Sequence, residues 1–207
     1  MADSGPGLLF ERRLWARGFR AVAGADEVGR GPLAGPLVAA AVVFPPDVVA
    51  EDLRGIDDSK RLTEARREAL VPRIRALGAQ WAVAEVPAAD VDRWNVAQAS
   101  FEALRRAVQA LRPGADFALL DGLPNPRLGF PPQQALVGGD ALSLSIAAAS
   151  ILAKVYRDRE MVRLEMLYPG YGFARHKGYP TAAHREALRR LGPSPVHRRS
   201  FRLAAGA

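Results

Sequence analysis

Three short apolar runs in this chain each stop at a carboxylate set beside glycine. Residues 20–25 end at Asp26-Glu27, and Val28-Gly29-Arg30-Gly31 follow. Residues 117–120 end at Asp121-Gly122, and residues 134–137 lead into Gly138-Gly139-Asp140. Short apolar runs bounded by turn formers read as buried strands. Strands buried on both faces need helices above and below them, which points to an α/β sheet. Ligands of such sheets gather at the C-terminal ends of the strands, where these carboxylates stand.

The intervening segments supply the helices. Residues 8–17 suit a short one. Thr63 is placed to cap a helix running to about Leu77, and Asn95 to cap the next. In that second helix Phe101, Leu104, Val108 and Leu111 fall on one stripe, and Pro113-Gly114 ends it. A long helix is expected over residues 142–167, apolar nearly all round in its first half and stopped by Pro169-Gly170. Thr181 starts a last helix that ends before Gly192-Pro193. Residues 36–44 and Gln80–Val86 have strand character. The expectation is a mixed β-sheet flanked by helices, with a C-terminal helical extension. It forms one domain over residues 1–207, with a core at about 20–180 and a basic helix and tail at about 181–207.

Composition narrows the chemistry. The 207 residues are 49% hydrophobic, enough to bury one core. There is no cysteine, which excludes disulfide scaffolds, zinc–thiolate sites, iron–sulfur clusters and cysteine nucleophiles. No stretch approaches the roughly 20 apolar residues of a membrane span, and the N-terminus lacks the pattern of a signal peptide. A cytoplasmic protein, not bound to membrane, is expected. Residues 1–170 carry 21 basic and 21 acidic side chains, whereas residues 171–207 carry eight basic and one acidic. The whole excess of +7 therefore lies in the last fifth. A polyanionic partner and a solvated tail explain that asymmetry equally well.

Asp26, Glu27, Asp121 and Asp140 would repel one another if gathered at one sheet edge. A hard divalent cation removes the conflict, and all-oxygen donors point to Mg²⁺ or Mn²⁺. Two such ions about 4 Å apart suit phosphodiester hydrolysis. Taken singly, each carboxylate also has an ordinary reading: a strand end, a turn aspartate, a helix start. Gly29-Arg30-Gly31 can offer backbone N–H groups and a guanidinium to a phosphate or hydroxyl, or form a plain turn. Lys60, in Asp57-Asp58-Ser59-Lys60, can meet a phosphate or remain a solvated loop lysine. Lys154 and Asp158 are spaced for an ion pair on the long helix, which favours a supporting role for them. The aromatic and basic stretch 168–180 suits stacking on a sugar or base, or a packed surface loop. His176, His184 and His197 match no zinc spacing, so surface or capping roles are expected of them.

The ordered set of motifs resembles ribonuclease HII of bacteria, a type 2 ribonuclease H. It comprises Gly24-Ala25-Asp26-Glu27-Val28-Gly29-Arg30-Gly31, Asp57-Asp58-Ser59-Lys60, Asp121-Gly122, Gly138-Gly139-Asp140, Ala147 to Lys154 with Arg157-Asp158, and His176-Lys177-Gly178-Tyr179. The resemblance implies the ribonuclease H-like fold. It implies an endoribonuclease acting on RNA–DNA hybrids and on single ribonucleotides embedded in duplex DNA. Cleavage would fall 5′ of the ribonucleotide and leave 3′-hydroxyl and 5′-phosphate ends. It implies Asp26, Glu27, Asp121 and Asp140 as catalytic metal ligands for Mn²⁺ or Mg²⁺, with two ions in the presence of substrate. Gly29, Arg30 and Gly31 would read the ribose 2′-hydroxyl, Tyr179 would sense the neighbouring deoxyribose, and Lys60 would contact phosphate. A monomer is expected. Ribonuclease HIII is the nearest alternative, and its additional N-terminal domain finds no counterpart in the roughly 20 residues before the first strand. A non-catalytic nucleic-acid-binding module would use the basic tail without the carboxylates, and a small-molecule phosphohydrolase would use the carboxylates without the tail.

Overall fold

The computed structural model describes residues 5–77 and 80–203. Five strands form one mixed sheet: β1 (Val22–Val28), β2 (Leu37–Val43), β3 (Gln80–Val86), β4 (Phe117–Asp121) and β5 (Gln133–Leu136). Their spatial order is β3-β2-β1-β4-β5. β1, β2 and β3 pair antiparallel, while β1 with β4 and β4 with β5 pair parallel. The helices are α1 (Leu9–Ala16), α2 (Glu64–Ala76), α3 (Ala88–Trp94), α4 (Val96–Ala110), α5 (Leu144–Leu167), α6 (Phe173–His176) and α7 (Ala182–Leu191).

Strand β2, all alanine, valine and leucine, is buried along its whole length. Alternation of side chains divides the strands between two cores. Ala23, Ala25, Leu37, Ala39 and Ala41 pack under α4 through Ala99, Ala103, Leu104, Ala107 and Val108. Val38, Ala40 and Val42 pack under α5 and α2. Helix α5 approaches β1 so closely that a Cβ on Gly24 would lie 2.3 Å from the Ile146 nitrogen. Only glycine fits there.

The expected caps are present. Thr63, Asn95 and Thr181 side chains accept N–H bonds at the starts of α2, α4 and α7. Four expectations need correction. β1 does not stop at residue 25 but runs through Asp26 and Glu27, because β2 continues to pair with it through Val28. α5 begins at Leu144, where Ser143 accepts the Ile146 N–H as cap. Asp140 instead lies in a separate 3₁₀ turn, Gly139–Ala141. Helix α3 falls on residues 88–94, where the sequence pattern suggests no element. The basic tail is not a free extension: residues 194–201 fold back, with Arg198 N–H donating to Leu33 O at 2.8 Å and Gly35 N–H to Val196 O at 2.9 Å. Residues 204–207 of the expected tail lie outside the described residues. No helix among the described residues is long and apolar enough to cross a membrane.

Candidate active site

Period-two alternation decides which carboxylates meet. In β1, Val22, Gly24 and Asp26 face α5, while Ala23, Ala25 and Glu27 face α4. In β4, Phe117, Leu119 and Asp121 face α5. The parallel register pairs Ala25 with Leu120, so Asp26 and Asp121 emerge side by side on the same face. Asp140 arrives from the turn after β5. That turn is tied to β4 because Gly139 N–H donates to Asp121 Oδ1 at 2.7 Å. A Cβ at Gly139 would sit 2.7 Å from Ile146 Cδ1 and 3.2 Å from Leu136 Cβ, so a side chain here would require Ile146 to shift.

One oxygen from each of Asp26, Asp121 and Asp140 lies within 4.8 Å of the others. Asp26 and Asp140 are buried, at 7% and 4% exposure. Burial holds the Asp26 carboxyl well above the usual range, and the charges of Glu27, Asp121 and Asp140 push it further. Burial also raises Asp121, against the opposing Gly139 N–H bond. Among protein groups, Lys60 supplies the nearby cation: its Nζ donates to Asp140 Oδ2 at 2.7 Å. Burial works against the Lys60 ammonium, but the bond and charge of Asp140 outweigh it and raise its pKa. One lysine cannot balance three crowded carboxylates. The donor set is hard and all oxygen, and it fits a divalent ion such as Mg²⁺ or Mn²⁺.

Glu27 points to the opposite side of β1. Burial raises its pKa too, opposed by Arg30, whose Nη1 donates to Glu27 Oε1 at 3.4 Å. Glu27 and Asp121 share the wall of a hollow of about 150 Å³ with Arg30, Ser100 and Leu123. The structure thus brings three of the four expected carboxylates together and sets Glu27 next to them across the strand.

The glycine-arginine-glycine turn lies beside Tyr179. Gly29 has φ +97°, and a Cβ there would meet Arg157 Nε at 2.5 Å. Gly31 is open: its Cβ would have only Tyr179 Cε1 near it, at 3.8 Å. The Tyr179 ring is 40% exposed. Two arginines hold this loop from beneath. Arg157 donates to Pro36 O, Ala34 O and Lys177 O at 3.0–3.1 Å. Arg198 donates to Gly35 O and Arg30 O at 3.0–3.2 Å. Both side chains are fully buried. Burial lowers Arg157 to about 10 and Arg198 to about 9.

The sequence motifs include Arg157 but assign it no role, and they do not reach Arg198. Arg198 counted as surface charge, and nothing in its local pattern distinguishes it from Arg199. Lys154 and Asp158 form the expected ion pair at 2.7 Å, outside the three-aspartate group. Asp158 also lies 3.6 Å from Arg67, which donates to Ser59 O and Leu62 O and so braces the loop that carries Lys60. Two of the three histidines are not surface groups, and His176 is half-buried. His184 and His197 are buried, packed against Phe173 at 5.6 and 5.5 Å between ring centres. The aromatic stretch folds inward over them, because α7 and the returning tail close above it. Arg175, Arg189, Arg190, Arg199 and Arg202 remain exposed.

Comparison with known proteins agrees with this geometry. The family model for ribonuclease HII matches residues 23–204. A ribonuclease HII from Syntrophotalea carbinolica is 52% identical over 94% of this chain and 91% of its own length. The crystal structure of ribonuclease H2 from Pyrococcus horikoshii superposes with a TM-score of 0.74 at 30% identity, covering 88% of this chain and 94% of that one. Bst-RNase HIII, solved in complex with Mn²⁺, is 22% identical with a TM-score of 0.70 over 89% of this chain and 68% of that one, a likeness of fold alone. With three aspartates at the strand ends and the matched region spanning nearly the whole chain, this protein belongs to the ribonuclease HII family, endoribonucleases that act on RNA–DNA hybrids.

Proposed function

We propose that the chain, acting as a monomer, also nicks duplex DNA on the 5′ side of a single embedded ribonucleotide, leaving 3′-hydroxyl and 5′-phosphate ends. The observation that carries this reading is the placement of the three-aspartate cluster within the same fold edge as the Gly29–Gly31 turn and Tyr179. Asp26, Asp121 and Asp140 would hold divalent metal, Mn²⁺ or Mg²⁺, and Glu27, on the neighbouring side of β1, would be the further carboxylate available to a second ion. Bound there, the metal supplies activation of water and neutralisation of charge on the phosphate.

The chain's own groups do the rest. The Gly29–Gly31 turn, exposed at Gly31, offers backbone N–H groups to the ribose 2′-hydroxyl, the group that separates RNA from DNA. Arg30, with its side chain 59% exposed, can leave Glu27 for a backbone phosphate. Lys60, whose side chain is 75% exposed, would be free to meet a phosphate oxygen where a metal is held by Asp140. The exposed Tyr179 ring stacks on the deoxyribose after the ribonucleotide. The exposed arginines of α7 and the tail add affinity that is independent of sequence and weakened by salt.

A DNA duplex carrying one ribonucleotide tests this, run with Mg²⁺, with Mn²⁺, with chelator, and beside an all-DNA control. One metal-dependent nick 5′ of the ribonucleotide, with the control intact, is expected. Cleavage confined to long hybrids would remove the single-ribonucleotide activity. Salt-sensitive binding with no cleavage of either substrate would reduce the carboxylates to structural roles.

A further inference from the structure

Beneath Tyr179 three imidazoles meet, and their hydrogen bonds have one consistent direction. Ser194 N–H donates to His197 Nδ1 at 2.9 Å. A backbone N–H can only donate, so that nitrogen carries no proton. The Ser194 hydroxyl at 2.8 Å from it then donates as well. At the other end His184 Nδ1 lies 2.9 Å from Tyr179 O. A carbonyl can only accept, so this nitrogen carries the proton. The two Nε2 atoms face each other at 3.0 Å. Neutral His197 has its proton on Nε2 and donates; neutral His184 has Nε2 free and accepts. Two independent ends therefore fix the same tautomers. A second proton on either ring would set N–H against N–H inside a buried cluster. His176 stacks on His184 at 4.4 Å between ring centres. It is fixed separately, accepting from Gly178 N–H at 3.2 Å.

We propose that His184 and His197 are positioning residues for Tyr179: a directed hydrogen-bond relay, Ser194 to His197 to His184 to the Tyr179 carbonyl, that locks the returning C-terminal segment to the residue beside Gly31. The proposal rests on the reading of Tyr179 given above. Three features of the fold make the relay matter. Tyr179 follows Gly178, whose φ is +82°, and precedes Pro180, so its backbone carbonyl is a natural handle on the turn. The segment bearing Ser194 and His197 is itself joined to the Gly29–Pro36 loop through the Ala34–His197 bridge. Arg198, next in sequence, donates to Arg30 O at 3.2 Å. The relay therefore closes a ring from the glycine-arginine-glycine turn, through the tail, back to Tyr179. Its effect is on where the ring sits relative to Gly31, and so on discrimination of an isolated ribonucleotide, not on the metal chemistry.

The test compares cleavage of a single-ribonucleotide duplex with cleavage of a long RNA–DNA hybrid, using the full chain with Mn²⁺. His184→Leu should lower the ratio of the two rates by about tenfold, the scale of one lost hydrogen bond. His184→Asn, whose amide nitrogen can still reach the Tyr179 carbonyl, should recover most of it. Tyr179→Ala combined with His184→Leu should be no worse in that ratio than Tyr179→Ala alone. An unchanged ratio in His184→Leu, or an additive double variant, overturns the relay. An unchanged ratio in Tyr179→Ala overturns the Tyr179 reading instead. Should His184→Leu fail to fold, imidazole nitrogen shifts of the unsubstituted protein at neutral pH decide: the proton is expected on Nδ1 of His184 and on Nε2 of His197. The opposite tautomers, or a charged ring, would refute the proposal.

Discussion

The molecule buries like charges in two places and treats them in opposite ways. At the strand ends three carboxylates crowd together, with Lys60 bonded to one of them. Beneath the Gly29–Pro36 loop, Arg157 and Arg198 lie buried with coulombic influence on each other, yet five backbone carbonyls take up their donors. The arginine pair is solved by neutral dipoles already in the fold, so it behaves as scaffold. The carboxylates receive less: Glu27 N–H donates to Asp26 Oδ1 and Gly139 N–H to Asp121 Oδ1, each at 2.7 Å, and burial still holds both acids above their ordinary range. An unsolved cluster of charge asks for a ligand; a solved one holds a shape.

The largest effect expected from breaking this contrast is in Asp121→Asn. Hydrolysis of a hybrid should fall on the order of a thousandfold, as when a metal-centred reaction loses a ligand. Stability without metal should hold or rise, because one of three repelling charges has gone. Steady-state kinetics and thermal melting read the two quantities. A variant that is both active and less stable would place Asp121 among the scaffold residues.

The converse holds for Arg198→Met. Here stability should fall by about 3 kcal/mol, because the buried Gly35 carbonyl and the part-buried Arg30 carbonyl lose their donor. Urea unfolding measures it. An unchanged midpoint would mean that the carbonyls find other partners and that the guanidinium is not part of the frame. Activity should fall less than in Asp121→Asn, and by way of the Gly29–Gly31 turn.

These two clusters also differ in how far the chain announces them. Asp26, Asp121 and Asp140 were legible because each closes an apolar run beside glycine, and the glycines proved necessary where the backbone approaches closely. Caps at Thr63, Asn95 and Thr181 were legible for the same local reason. The side of the strand that Glu27 takes was not, since it depends on β1 continuing straight instead of bending. Sheet order is likewise a matter of which hydrophobic faces α4 and α5 select. The bracing role of Arg157 and the burial of Arg198, His184 and His197 were not legible, because their partners are carbonyls and rings outside their local pattern. A local pattern reports what neighbours in the chain do; burial by a returning tail leaves no such trace.

The histidine cluster sharpens the comparison through pH. Burial, and then the neighbouring His184 imidazole, which disfavours a proton on its partner, depress His197 to about 4, from an ordinary value of 6.5. The unfolded chain thus binds a proton that the folded one resists. Stability from this residue is complete above pH 6.5 and is lost progressively as pH falls toward 4. The loss amounts to about 3 kcal/mol at the acid end of that window. Urea unfolding at steps between neutral pH and that value should show the decline, and His197→Gln should flatten it. A decline of the same size in that variant would assign the effect to other groups.

The smallest effect concerns Lys60. Its side chain is 75% exposed, and its bond to Asp140 is an ion pair at the margin of water. Such a pair is worth less than about 1 kcal/mol, so Lys60→Met should leave stability nearly unchanged. The same ammonium competes with a divalent cation for the Asp140 oxygen. Removing it therefore makes the cluster more negative at no structural cost, and Mg²⁺ should bind a few-fold more tightly in the absence of nucleic acid. With substrate present, the phosphate contact proposed for Lys60 predicts the opposite sign, a raised Michaelis constant. Calorimetric titration of metal and steady-state kinetics separate the two. Weaker metal binding in Lys60→Met would show that Lys60 arranges Asp140 for the ion instead of standing in for it.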